Sequence, residues 1–207
     1  LIFDEVDGND PRVMPAIHAI LAGDEIDHAG QKFGQPEDGL FVGNANTWGF
    51  GANSEYCGRA PLDGATTNRF NSFVDWDYDN DFEQVLCESV AMGIINLLGD
   101  ACTPELVDLA CSIGETVQSL ARRVRKNIEH NKIKLIFSPR DSMSMTRRVL
   151  NGVDPKPALM RSCVGRLPEM SRDKVLSETD GLCNDIKAEA KILAEVASAP
   201  LEKEMTP

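Results

Sequence analysis

The first seven residues, Leu1-Ile2-Phe3-Asp4-Glu5-Val6-Asp7, constrain the fold more than any other stretch. Three apolar residues suited to a buried strand run into paired carboxylates, and Gly8, Asn9, Asp10 and Pro11 then stop the strand and open a helix. A strand buried on both faces delivers Asp4 and Glu5 to its carboxyl end, where parallel α/β sheets bind ligands in the crevice beyond the strands. There one carboxylate can hold Mg²⁺, directly or through water, while its neighbour orients and deprotonates an attacking water. An apolar triplet followed by Asp-Glu also ends many ordinary strands in solvent, so the surrounding segments must decide between the two readings.

The 207 residues are enough for one domain or one and a half, with a sizeable core. A net charge of −12 argues against a nucleic-acid coat, which needs a basic face. Basic residues do gather at Arg122, Arg123, Arg125, Lys126, Lys132 and Lys134, either as a phosphate-facing patch or as the solvated face of a helix. No apolar run reaches the roughly 18 residues of a membrane span and no signal-type core opens the chain, so the expectation is a cytoplasmic protein with no membrane partner. The six cysteines have no C-x-x-C spacing, which favours reduced, partly buried thiols over a zinc site. The start on Leu1, inside a strand pattern and without an initiator Met, reads as that of a fragment.

Beyond Asp7, Asn9 or Asp10 is expected to cap a helix with Pro11 at its first position, Val13, Ile17, Ile20 and Leu21 on one face, and Gly23 as its stop. Residues 24–39 read as a loop or short hairpin. A second short buried strand, Leu40-Phe41-Val42-Gly43, is expected to end in Asn44-Ala45-Asn46-Thr47; an amide there could bond both a γ-phosphate and the attacking water, or simply make the next turn. A glycine-rich loop over 49–64, a short helix over 62–68 that runs into Arg69-Phe70, and a third buried strand over 73–77 complete this half. A helical half follows. Phe82, Val85, Leu86, Val90, Ile94 and Leu97 form one stripe, and Leu106, Leu109, Ile113, Val117, Leu120, Val124 and Ile128 hold helical spacing over about six turns after Thr103-Pro104-Glu105. A third helix starts at Ser138-Pro139-Arg140-Asp141 with a capping box, which puts Arg140 in a first turn, against the dipole unless something anionic faces it. Residues 154–157 read as a Pro-rich linker, 158–183 as poorly patterned, and 184–198 as a last amphipathic helix.

The order of these segments is more specific than any one of them. Asp-Glu strand, helix, strand ending in Ala-Asn-Thr, Tyr-x-Gly loop, helix ending in Asn-Arg-Phe, strand, and helical bundle with Ser-Pro-Arg together resemble the MoxR/CobS branch of AAA+ ATPases over roughly residues 1–150. The resemblance implies a fold that is α/β followed by α: part of a P-loop NTPase parallel-sheet core over 1–78, a helical lid carrying sensor 2 over 79–152, and a C-terminal extension over 153–207. It implies ATP and Mg²⁺ as ligands, with Asp4 and Glu5 as the Walker B pair, Asp4 on the metal and Glu5 activating water. Asn46 falls at sensor 1, Arg69 at the arginine finger that reaches the next subunit's ATP, and Arg140 at sensor 2. It also implies a homo-hexamer that remodels a partner or assists metal chelation, acting with a von Willebrand A-domain protein.

One departure stands out: no G-x-x-x-x-G-K-[ST] occurs in the chain, and in the family that loop lies upstream of the Walker B strand. The simplest expectation is the C-terminal part of a longer ATPase, binding ATP poorly by itself. Three other readings compete. A DEAD-type helicase fits Asp4-Glu5-Val6-Asp7 but requires a second α/β domain. A non-hydrolysing AAA+-like scaffold acting by protein binding has no need of Glu5, Asn46, Arg69 and Arg140. A two-carboxylate Mg²⁺ nuclease lacks a further acid, since Asp7 and Asp10 read more simply as turn and cap.

Overall fold

In a computed structural model of the protein, residues 1–34, 38–53 and 55–198 are described, and the chain divides into two compact units, Leu1–Trp76 and Asp77–Pro207.

In the first unit, β1 (Ile2–Phe3) pairs in parallel with β4 (Val42–Gly43), Ile2 opposite Val42 and Phe3 opposite Gly43. The ladder extends past both strands: the Asn44 amide donates to the Phe3 carbonyl at 3.0 Å and the Val6 amide to the Asn44 carbonyl at 2.9 Å. The expected helix after Asp10 begins a turn late, as α1 (Met14–Ala22), because the Asp10 carboxylate is spent on the backbone amide and guanidinium of Arg12 and makes a turn there. Gly23, at φ 80°, ends α1 as expected. The 24–39 segment contains the hairpin β2 (Ile26–His28) and β3 (Gln31–Phe33). Ala29 and Gly30 at its tip have φ of 54° and 78°, the pair of positive values that a two-residue turn of matching twist requires. Helix α2 (Gly64–Thr67) is capped by Asp63, which accepts the Thr66 amide at 2.7 Å.

Two expectations for this unit are corrected. Residues 73–77 form no strand, and Phe73, Val74 and Trp76 are exposed. Among the described residues no ladder partner meets this segment, and acids at and just after its end divert the backbone: Asp77 accepts the Tyr78 amide, and Asp79 caps the following helix. Nor are β1 and β4 buried strands, since Ile2 is 70% exposed, Leu40 and Val42 are exposed as well, and their sheet has two strands among the described residues. Among the described residues each sheet has two strands, and the first unit's buried apolar side chains are Val6 and Ile17.

The second unit is helical: α3 (Asn80–Ile95), α4 (Pro104–His130), α5 (Pro139–Leu150), α6 (Pro155–Ser162) and α7 (Glu169–Ser198). Helix α4 is its axis, capped by the Thr103 hydroxyl and packed against α3, α5 and α7, with Leu106, Ile113, Val117, Leu120 and Val124 fully inside. The 3.6-residue period of α4 is therefore the pattern by which the unit assembles.

Helix α3 does not bury the stripe expected of it. Its inward face is Glu83, Cys87, Ala91 and Ile95, while Phe82, Val85 and Leu97 are exposed. Small side chains let the two backbones approach, and a Cβ on Gly114 of α4 would lie 3.2 Å from the Cys87 carbonyl carbon and the Glu88 nitrogen. By length and composition the segment Asn80–Gly99 could cross a bilayer; here it lends one face to the helical core.

The 154–157 segment is the start of α6 and not a linker. Pro155 occupies a first helical position, where its missing N–H costs nothing. The last helix spans 169–198, far longer than expected, because Thr179 and Cys183 take core positions between Val175 and Ile186 and interrupt the apolar pattern. Residues 199–207, where the sequence after Pro200 reads as a frayed tail, lie outside the described residues.

Candidate functional site

The carboxyl ends of β1 and β4 lie side by side, so Asp4-Glu5 and Asn44-Ala45-Asn46 leave the sheet at one edge. Asp4 is exposed there. Glu5 has a left-handed backbone, φ 50° and ψ 48°, which a non-glycine residue keeps only when its surroundings hold it. Two contacts do so. Its amide donates to the Asn44 side-chain oxygen at 2.6 Å, and its carboxylate Oε2 lies 3.1 Å from Nη2 of Arg59.

Arg59 reaches this edge from the glycine-rich loop and also faces Asp7, with Nη1 3.8 Å from Oδ1. The Asp7 side chain is completely buried; its Oδ2 accepts the Thr47 amide at 3.0 Å and the Thr47 hydroxyl at 2.8 Å. Asp7 thus ties the turn after β1 (Val6–Gly8) to the loop after β4. Gly8 completes the arrangement, because a Cβ there would stand 1.7 Å from Nη1 of Arg59.

Of the five residues that sequence singled out, the structure brings Asp4 and Glu5 together and places Asn46 at the same edge, exposed, two residues past the amide that contacts Glu5. Arg69 follows α2, is exposed, and donates from Nη1 to the Ala65 carbonyl at 2.5 Å. Its neighbour Phe70 anchors that turn, since a Cβ on Gly43 of β4 would lie 2.9 Å from the Phe70 ring. Arg140 belongs to the second unit, exposed in the first turn of α5, where the Ser138 amide and hydroxyl both donate to Asp141 at 2.8 Å. The capping box is therefore formed as its spacing requires.

Sequence reasoning missed Arg59 and Asn44 as partners of Glu5, and it read Asp7 only as part of a turn. The order of residues holds no local signal for the Arg59 contact, which spans a long loop. Nor did the run Asp4-Glu5-x-Asp7 hold one for Asp7, because Glu5 is left-handed and Asp7 lies in the turn Val6–Gly8, where strand alternation has already ended.

A second polar group joins α1 to α2. The Thr66 hydroxyl donates to Asp63 at 2.8 Å, so His18 Nε2, 2.7 Å from the same oxygen, must be the donor in that contact. The Thr66 amide and hydroxyl hold the Asp63 carboxyl below its usual value, the hydroxyl first. This is a brace and not a nucleophile relay, since Thr66 is buried and its proton goes to the acid.

In the second unit the basic cluster divides. Arg122, Arg123 and Lys126 are exposed, whereas Arg125 turns inward to Glu83. A concavity of about 760 Å³ near the end of α4 has Arg123, Lys126 and Lys174 on its wall together with Glu129 and Glu178, and Arg123 is already paired with Glu178 at 3.1 Å. Its mixed charge singles out no ligand.

Among the described residues no three His, Cys, Asp or Glu side chains converge as a metal site. A Mg²⁺ held mainly by phosphates and water asks for only one or two carboxylates, and Asp4, exposed at the strand end, fits that demand. No family model matches this chain, and no curated protein or solved structure matches it either.

Proposed function

We propose that the first unit carries the catalytic carboxylates of an AAA+ ATPase of the MoxR/CobS type, and that the second unit is its helical lid domain. The protein then hydrolyses ATP with Mg²⁺ and uses the cycle to remodel or assemble a partner protein. The observation that carries this reading is the parallel pairing of β1 with β4, which sets Asp4 and Glu5 beside Asn44 and Asn46 at one carboxyl edge. Walker B carboxylates and a sensor 1 amide need that adjacency, because one Mg²⁺-bound γ-phosphate and one water must touch both strands. The capped helix start that presents Arg140 to solvent adds support from the second unit.

Asp4 would hold the ion, which supplies charge neutralisation on the phosphates. Glu5 takes the proton of the attacking water, and Asn46 orients that water. Arg69 is exposed and, among the described residues, its side chain bonds to the backbone of its own turn, which leaves it able to act outside its own subunit. The reading requires a phosphate-cradling loop beyond these 207 residues, and the family pattern adds a hexameric ring and a von Willebrand A-domain partner.

The test is ATP binding and turnover by the full-length protein beside Arg69→Ala. A finger is worth about 10³ to 10⁵ in rate, so turnover should collapse while binding stays. Wild-type turnover in Arg69→Ala would remove the finger, and no ATP binding by the full-length protein would overturn the reading.

A further inference from the structure

We propose that Arg59 and Asn44 are positioning residues for Glu5, which they hold as one preset unit, and that Gly8 lacks a side chain so that Arg59 can reach it. This deepens the ATPase reading and rests on it, since it takes Glu5 as the group that receives the proton of water.

Three features converge on this one residue, two on its backbone and one on its carboxylate. Its backbone sits in the left-handed region, a conformation that costs a non-glycine residue roughly 1–3 kcal/mol and persists where neighbours over-determine it. The Asn44 oxygen takes its amide at 2.6 Å and fixes the strand exit. The Arg59 guanidinium, itself 14% exposed, takes Oε2 and leaves Oε1 as the oxygen for the proton of water. Arg59 in turn faces Asp7 as an ion pair, Nη1 3.8 Å from Oδ1 and without a hydrogen bond, and the other Asp7 oxygen is pinned by both Thr47 donors. The chain of contacts Thr47, Asp7, Arg59, Glu5 thus runs from the sensor 1 loop to the base, so the loop that orients water and the carboxylate that deprotonates it move as one piece.

A base displaced by about 1 Å loses about 10²-fold in rate, while nucleotide affinity, set by phosphate and base contacts, is spared. The experiment compares Mg-ATP turnover, ATP affinity and melting temperature of the full-length protein with those of Arg59→Gln, Arg59→Lys, Gly8→Ala and Glu5→Gln. Gly8→Ala is the decisive variant, because a Cβ 1.7 Å from Nη1 forces the guanidinium out of its present position without deleting a charge. Arg59→Gln and Gly8→Ala should lower kcat about 10- to 100-fold with ATP affinity nearly unchanged, and Arg59→Lys should recover part of it, an ammonium serving one carboxylate where a guanidinium serves two. Wild-type kcat in a Gly8→Ala protein that melts like wild type, with Glu5→Gln inactive, would overturn the clamp and leave the ATPase reading standing. Wild-type turnover in Glu5→Gln would overturn both.

Discussion

Arg125 meets Glu83 through two hydrogen bonds of 2.7 Å inside the helical unit, joining α4 to α3. The Ser142 hydroxyl donates to the same carboxylate from α5, and the guanidinium also donates to the Phe137 carbonyl and lies 3.8 Å from the centre of the Tyr78 ring. Partners thus come from α3, α4, α5 and the segments at Tyr78 and Phe137. A buried ion pair so completely bonded holds three helices in register, a role that apolar contacts, being non-directional, leave open.

Removing one partner should therefore cost far more than removing a surface charge. Arg125→Ala leaves Glu83, only 1% exposed, without its counter-charge, and the expected loss is about 3–5 kcal/mol in urea unfolding. Arg122→Ala, on the solvated side of α4, should change stability by less than about 0.5 kcal/mol. Equal effects of the two would contradict the inward placement of Arg125.

Two glycines should respond to alanine with opposite signs. Gly114 faces the backbone of α3, where a Cβ meets main-chain atoms at 3.2 Å that cannot swing aside, and the overpacking of about 1–3 kcal/mol outweighs the better helix propensity of alanine. Gly181, exposed on α7, has nothing within 4 Å of an added Cβ and should gain about 0.5–1 kcal/mol. Thermal melts of the two variants read the difference directly, and stabilisation by Gly114→Ala would refute the close α3–α4 approach.

Burial pushes the thiols of Cys87 and Cys183 from about 9 up to about 11. The unfolded chain thus loses these protons first as pH rises, so their contribution to stability is intact below pH 9 and drains away between about 9 and 11. Urea midpoints measured across that window should fall steeply in the wild type and less steeply in Cys87→Ala. Cys57, which is exposed, should react with a thiol reagent in the folded protein while Cys87 and Cys183 stay protected. Parallel pH slopes in the wild type and Cys87→Ala would contradict this account.

Where a segment's own residues decide its structure, the sequence was legible. Helix α4 announced itself through seven apolar positions and the Thr103-Pro104 start, and α5 through its capping box. Legibility failed where polar or small groups occupy core positions. Glu83 on α3 and Thr179 and Cys183 on α7 are inside because partners or close packing accept them, so counting hydrophobic residues misplaced one face and halved one helix. Residues 73–77 failed for the converse reason: strand-forming side chains make no strand without a ladder to join. At the candidate site, the two apolar runs marked where β1 and β4 lie, but not that they pair in parallel, and neither run is buried as an apolar strand was expected to be. The Arg59 clamp had no such mark, since it joins a loop to a strand end through contacts that no period encodes.

The most direct test of the central claim is ATP hydrolysis by the full-length protein and by its Glu5→Gln variant, with nucleotide affinity measured on both. If Glu5 is the carboxylate that receives the proton of water, as proposed, its loss predicts at least about 10²-fold slower turnover with ATP still bound. Turnover at the wild-type rate in Glu5→Gln would contradict the assignment of this strand end as the catalytic edge.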